Sequence, residues 1–403
     1  MTVNRASEGL PPLRPEIAAL PAYVPGARPG AGERLWKLSS NENPYPPLPA
    51  VLRAIGAAAG QANRYPDMYA TPVAEAVAGF VGVPASQVVV GNGSVAVLAH
   101  ILAAFVRPGD EVIFAWRSFE AYPISVEVAG GRQARVPLRA DGTHDLPAMA
   151  AAITESTRVV IVCTPNNPTG ASVGVGELRA LLAAVPSDVL VVIDEAYLEF
   201  VRLDGLQAIG EQAADEHGER PGGELAAAKQ VMGECSAGEP LDALALLREY
   251  PNVVVLRTLS KAYGLASLRV GYALAAESLA EGIRAVSTPF GVSGVAQEAA
   301  IASLAPEAQA QLFERVDALV SERERVVAAL HAQGWRLPAT QANFVWFGFG
   351  DATAARAEQA RNAGILVRPF VGEGLRVSIG EPEANDALIA LAARWAESGT
   401  NLI

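Results

Sequence analysis

The run NVVVLRTLSKAYGLASLR, Asn252–Arg269, places an amine just beyond a short apolar segment. Val253–Leu256 reads as a β-strand without a polar face, and Lys261 follows it among small residues. The chain holds only three lysines, Lys37, Lys229 and Lys261, among 31 Lys and Arg residues. A guanidinium is always charged, whereas a desolvated lysine can shed its proton and attack a carbonyl. A chain that uses arginine nearly everywhere else keeps lysine where arginine cannot substitute, and the neighbours must say whether Lys261 is such a place.

Similar apolar runs recur on both sides: QVVV (87–90), EVIFA (111–115), RVVIVC (158–163), VLVVID (189–194) and LRVGYAL (268–274). Helical periodicity over 49–60, 72–82 and 94–106 lies between them or before them. Short, almost wholly apolar strands alternating with helices indicate an α/β fold whose large central sheet is mostly parallel and covered by helices on both faces. After Phe290 the texture changes. A long Ala-, Glu- and Arg-rich helix is expected over 306–333, and ANFVWFGF (342–349), GILVRP (364–369) and GLRVSIG (374–380) interleave with helices at 352–363 and 383–397. The expected division is an N-terminal arm with part of a small domain (1–48), a large domain (49–290) and a smaller C-terminal α/β domain (291–403). Residues 203–240, acidic and Gly-rich without strong apolar periodicity, exceed an ordinary connection and read as a solvated insertion.

Composition excludes several classes. At 51% hydrophobic and 18% charged residues the chain can bury large cores. A net charge of -12 lacks the basic footprint of a nucleic-acid binder. No apolar stretch reaches membrane-spanning length and the first residues carry no apolar leader, so no membrane partner is expected. Two cysteines, Cys163 and Cys235, make neither a disulfide framework nor a metal set, which points to a reducing cytoplasm. His100 and His144 have no metal spacing and read as ordinary helix and loop residues, and Cys163 as buried filler.

In open α/β sheets ligands bind beyond the carboxyl ends of the strands. After QVVV stands Gly91-Asn92-Gly93-Ser94, a glycine turn opening a helix, where backbone N–H groups favour an anion. After RVVIVC stands TPNNPTG (164–170), a rigid loop that points an amide side chain in a fixed direction. After VLVVI stand Asp194 and Tyr197 in DEAY, and an acid on such a strand is costly unless a cationic group meets it. After NVVVLR come Ser260 and Lys261, with Arg269 beyond. A phosphate cradle, a fixed amide, a buried carboxylate, a phenol and an amine together suit a phosphorylated pyridine aldehyde: the amine condenses with the aldehyde and the carboxylate keeps the ring nitrogen protonated.

The segments SSNENPYPP, NNPTG, DEAYLEF and SKAYGLASLR together resemble the histidinol-phosphate aminotransferase family of fold-type I PLP-dependent transferases. AWRSFEAYP (115–123) and RYPD (64–67) are most similar to its actinobacterial aromatic amino acid aminotransferase branch, and the likeness covers roughly 35–202 and 241–397. The resemblance implies pyridoxal 5′-phosphate with Lys261 as its Schiff-base lysine and proton-moving base, and Asp194 at the ring nitrogen. It implies Asn167 and Tyr197 at the ring oxygen, Phe119 stacked on the ring, and Gly93, Ser94, Thr258, Ser260 and Arg269 at the phosphate. Tyr65 matches a tyrosine that reaches the neighbouring subunit's phosphate, which implies a homodimer with shared sites. Arg376 matches the arginine gripping the substrate's acidic group, and Asn43 lies in the entrance segment. Thr164 stands where the branch often has Asn, and Ser267 where Gly is usual; neither removes a named contact. Trp116 and Arg117, just before Phe119, read either as packing and surface residues or as part of the pocket.

The implied activity is ping-pong amino transfer between aromatic amino acids and 2-oxo acids. Such a mechanism needs Lys261 to have a lowered pKa, which burial beside the cofactor's cationic ring would provide. Histidinol phosphate remains an alternative substrate, with Arg376 holding phosphate instead of carboxylate. A PLP-dependent decarboxylase on the same scaffold, or a cofactor-binding protein without turnover, also remains open, since no motif reports which bond at Cα is broken.

Overall fold

β6 (Leu190–Asp194) lies at the middle of a seven-stranded sheet and is buried along its whole length. This computed structural model describes residues 11–20, 30, 35–202, 233–234 and 240–397. The other strands up to Ala275, in chain order, are β1 (Trp36–Lys37), β2 (Val88–Gly91), β3 (Glu111–Trp116), β4 (Arg132–Pro137), β5 (Thr157–Cys163), β7 (Gly233–Glu234), β8 (Pro240–Leu241), β9 (Val253–Thr258) and β10 (Gly271–Ala275). The central order is β2-β10-β9-β6-β5-β3-β4. Only β10 runs against its neighbours, β9 and β2, so the sheet is mostly parallel, as its apolar strands require. Apart from the short β7–β8 ladder, the insertion expected over 203–240 lies outside the described residues, as does most of the arm before residue 35.

Strand periodicity sends alternate side chains to two cores. Val160, Val162, Val191, Ile193, Val253 and Val255 enter one, while Val159, Ile161, Val192, Val254 and Leu256 enter the other. Each is at most 1% exposed and contributes roughly 1.5–3 kcal/mol by leaving water. Two strand expectations need correction. LRVGYAL is strand only from Gly271, because Arg269 adopts a left-handed conformation (φ 57°) and turns the chain first. The edge strand β4 has no apolar run to betray it; its residues are largely exposed or half-exposed, as suits an edge, and it ends in Pro137.

A second, three-stranded sheet is antiparallel, with order β11 (Phe344–Gly348), β14 (Gly374–Ser378), β13 (Arg368–Phe370). GILVRP is therefore split between β12 (Ile365–Leu366), which pairs with β1, and β13. The helices Pro306–Ala332 and Pro382–Glu397 pack together, and Trp335, Phe347, Phe349 and Trp395 meet edge-on or stacked beside them. The chain at Leu38 is sewn into this second layer, accepting from the Ser378 amide and donating to the Leu366 carbonyl. The helix Gly294–Leu304 packs instead on the helices Pro49–Ala59 and Thr71–Val81. No described helix is long and apolar enough to cross a membrane.

Candidate active site

β2, β9, β6, β5 and β3 all point one way, so their carboxyl ends open on a common cleft. The cleft, with the open solvent at its mouth, holds about 820 Å³ of atom-free space. One wall is built from residues that immediately follow those strands. Opposite it lie Ser39 and Ser40 with two arginines of the three-stranded sheet, Arg368 and Arg376.

Asp194 ends β6, level with Cys163 on β5 and Leu256 on β9. Its Oδ2 accepts from the Tyr122 hydroxyl at 2.6 Å, and among the described residues its buried Oδ1 has no hydrogen-bond partner. Burial pushes the Asp194 carboxyl up to about 6, against the opposing pull of the Tyr122 hydrogen bond. Directly behind, Glu195 pairs with Arg257 at 2.8 Å in a fully enclosed ion pair that ties β6 to β9. That tie fixes Asp194 relative to the segment bearing Lys261, since β9 ends three residues before it.

Lys261 faces the cleft and remains partly exposed there, with Nζ 3.3 Å from the Ser40 carbonyl. Its amine is pushed down to about 7, first by desolvation and then by the Arg376 cation, with Glu42 acting the other way. A neutral amine near neutral pH can act as nucleophile and base. Of the other lysines, Lys37 is held by Glu42 at 2.6 Å, and Lys229 lies outside the described residues.

The anion end of the cleft depends on close backbone approach. Gly93 (φ 81°) precedes the helix Ser94–Phe105, and a Cβ there would lie 2.5 Å from the Arg269 guanidinium. A Cβ on Gly271 would stand 2.2 Å from the Ser94 amide nitrogen, so only glycine lets β10 pass the helix start. Arg269 donates to Ser260 Oγ at 3.1 Å and to the Ala266 carbonyl at 2.9 Å, while Thr258 Oγ1 lies 3.0 Å from Ser260 Oγ. A helix N-terminus, two hydroxyls and a guanidinium thus converge, and Ser94, Thr258, Ser260 and Arg269 all line the cleft.

Across the cleft, Arg376 donates to Asn167 Oδ1 at 2.5 Å and to the Ser39 carbonyl at 2.9 Å. The Tyr197 hydroxyl accepts from Asn41 Nδ2 at 2.9 Å, and burial raises its pKa, so it stays protonated. Phe119 lines the cleft after β3 and meets Tyr122 edge-on. Cys163 also lines it, its thiol pushed up to about 12 by burial, which leaves it protonated and unreactive.

Ten of the residues singled out from sequence therefore line one cleft: Ser94, Phe119, Asn167, Asp194, Tyr197, Thr258, Ser260, Lys261, Arg269 and Arg376. Gly93 abuts Arg269 at its margin. Two lie off it. Asn43 uses Nδ2 on the Ala262 carbonyl and Oδ1 on the Tyr45 amide, so it fastens the chain next to Lys261 instead of facing the cavity. Tyr65 is 84% exposed and meets the Phe290 ring at a tilt. Trp116 and Arg117 are not on the cleft wall; Arg117 lies over the Trp116 and Phe370 rings and pairs with Glu373. His144 is 1% exposed and pushed down to about 4 by burial, hence uncharged.

Sequence reasoning missed Tyr122, Asn41, Glu120 and Arg368. Tyr122 stood in AWRSFEAYP, three residues past Phe119, where a helix start returns it to the same side. The partners of Asn41 and Arg368 are far along the chain and leave no local signal.

The donor set fits a phosphorylated pyridine aldehyde. Asp194 Oδ1 is an enclosed acceptor suited to a donor such as a pyridinium N–H, the helix start with Arg269 suits a phosphate, and Lys261 offers an amine in the same cleft.

Residues 33–391 match the family model described as aminotransferase class I and II. The aromatic amino acid aminotransferase of Streptomyces avermitilis is 49% identical over 390 residues, covering 96% of this chain and 99% of that protein. Its counterpart from Thermobifida fusca is 46% identical over 391 residues, covering 96% and 99%. Among solved structures, the histidinol-phosphate aminotransferase of Sinorhizobium meliloti, in complex with pyridoxal-5′-phosphate, superposes with a TM-score of 0.79 at 27% identity over 97% of this chain and 99% of that one. An aspartate aminotransferase of Thermus thermophilus shares the fold, with a TM-score of 0.74 at 22% identity over 96% of this chain and 99% of that one. The seven-stranded sheet with its cleft is that of the fold-type I transferases, and the chain belongs to the class I and II aminotransferase family.

Proposed function

We propose that this aminotransferase binds pyridoxal 5′-phosphate in the cleft and moves amino groups between aromatic amino acids and 2-oxo acids. The observation that carries the cofactor assignment is the enclosed, unpartnered Oδ1 of Asp194 sharing a cavity with an amine pushed down to about 7. When bound, the cofactor supplies an electron sink for the charge developing at the substrate Cα.

The chain's own groups divide the remaining work. Lys261 is the amine that would hold the cofactor aldehyde, and the same nitrogen is the group that would move the substrate Cα proton. Asp194 keeps the ring nitrogen protonated, and Tyr122 orients Asp194 through Oδ2. Gly93, Ser94, Thr258, Ser260 and Arg269 take the phosphate. Asn167 and Tyr197 address the ring oxygen, and Phe119 stacks against the ring. Arg376 holds the substrate carboxylate, its guanidinium aimed by Asn167 and the Ser39 carbonyl.

The aromatic preference is supported by the two relatives named above. Histidinol phosphate is the second reading, favoured by the 27%-identical neighbour and by a second cleft arginine, Arg368. The same proposal includes a cytoplasmic homodimer, in which exposed Tyr65 reaches the neighbouring subunit's phosphate site. It also includes the division into a large domain over 49–290 and a small one over 291–403. A panel of phenylpyruvate, 4-hydroxyphenylpyruvate and imidazole-acetol phosphate as amino acceptors tests the substrate. Highest kcat/KM on the two aromatic acids supports the proposal, and highest kcat/KM on the phosphate ester overturns it.

A further inference from the structure

Arg368 and Arg376 stand directly opposite each other across the β13–β14 ladder, and both line the cleft. Like charges at opposed positions repel, so each needs compensation. Arg376 donates to the Asn167 side-chain oxygen and the Ser39 carbonyl. Arg368 is held by a carboxylate: its Nη2 lies 2.5 Å from Glu120 Oε2, with the arginine side chain 7% and the glutamate 30% exposed. Glu120 also lines the cleft, at the N-cap of the helix Ala121–Ala129, where a negative charge is favoured.

We propose that Glu120 sets the charge selectivity of the substrate site by occupying Arg368, so that a substrate carrying a second anion must compete with an internal carboxylate. The proposal rests on the substrate site assigned above. A substrate with one carboxylate and an apolar side chain uses Arg376 and leaves the Glu120–Arg368 pair intact. A dianionic substrate gains Arg368 only by displacing Glu120, and breaking a part-buried, hydrogen-bonded charge pair carries a cost. Glu120 therefore acts through Arg368, as a positioning residue. The wall does not depend on this pair alone, because Arg117 and Glu373 bridge the same two segments.

The test compares two dead-end acids on the holoenzyme by titration calorimetry: 3-phenylpropionate, a monoanion, and glutarate, a dianion. In Glu120→Gln, the Kd of glutarate relative to that of 3-phenylpropionate should fall about tenfold, and kcat/KM for 2-oxoglutarate relative to phenylpyruvate should rise by a similar factor. Glu120→Asp, which keeps the charge, should preserve the wild-type ratios. Arg368→Gln should remove the advantage of a second anion, and adding Glu120→Gln to it should change the ratio no further. A ratio unmoved in Glu120→Gln, a Glu120→Asp variant that shifts as far as the glutamine, or a double variant in which the two effects simply add would each overturn the proposal. Absence of aromatic turnover in the wild type would contradict the proposed function instead, and the binding ratio would still read Glu120.

Discussion

The two walls of the cleft are made by different means. On the sheet side, Asp194, Ser260, Lys261 and Arg269 sit within a few residues of strand ends whose register is fixed by wholly buried neighbours. On the opposite side, Arg376 depends on partners more than 150 positions away, Asn167 and Ser39. The first wall inherits its precision from the core. In the second, Arg376 is likewise seated in the buried strand β14, but its guanidinium is aimed by hydrogen bonds to residues far along the chain. Chemistry placed on the first wall should therefore fail completely when a group is removed, whereas changes on the second should alter binding more than turnover.

Lys261→Ala should show the largest effect, lowering kcat by about 10⁴-fold or more while the circular dichroism spectrum and melting temperature stay near wild type. Retained turnover would break the assignment of chemistry to the sheet side. Asp194→Asn should lower kcat by about 10²–10³-fold, because an amide cannot hold the ring nitrogen charged. On the other wall, Arg376→Gln should raise KM for phenylpyruvate by about 10²-fold with a smaller change in kcat; a loss confined to kcat would erase the contrast.

Smaller effects sharpen it. Tyr122 donates to the charged form of Asp194, so Tyr122→Phe should raise the Asp194 pKa further above its burial-raised value of about 6. The charged carboxylate then appears only at higher pH, and the acid limb of the kcat profile should move upward; a downward move would contradict the geometry. In cofactor-free protein, alkylation of Lys261 should show a midpoint near pH 7, since burial and Arg376 favour its neutral form. Arg376→Gln removes one of these causes, and the midpoint should rise toward that of an ordinary lysine.

How far each wall could be read from sequence follows from the same difference. Apolar runs such as VLVVID and NVVVLR declared the central strands. A polar group directly after such a run declared the site, because a strand buried on both faces makes a charge at its end costly unless a ligand or counter-charge meets it. β4 was invisible because an edge strand does not need apolar residues. The strand expected from Leu268 starts only at Gly271, because the left-handed Arg269 breaks what reads as a continuous apolar pattern. Tyr122 and Arg368 were missed on different grounds: their importance lies in an oxygen of Asp194 and of Glu120, and no spacing encodes contacts across 72 or 248 positions.

In the proposed function, the amine after β9 is the group that binds the cofactor aldehyde, and every other role depends on it. Incubation of the purified protein with pyridoxal 5′-phosphate, reduction with borohydride and peptide mapping tests it directly. The expected result is a single phosphopyridoxyl group on Lys261. A label on Lys37 or Lys229, or none, would contradict the account.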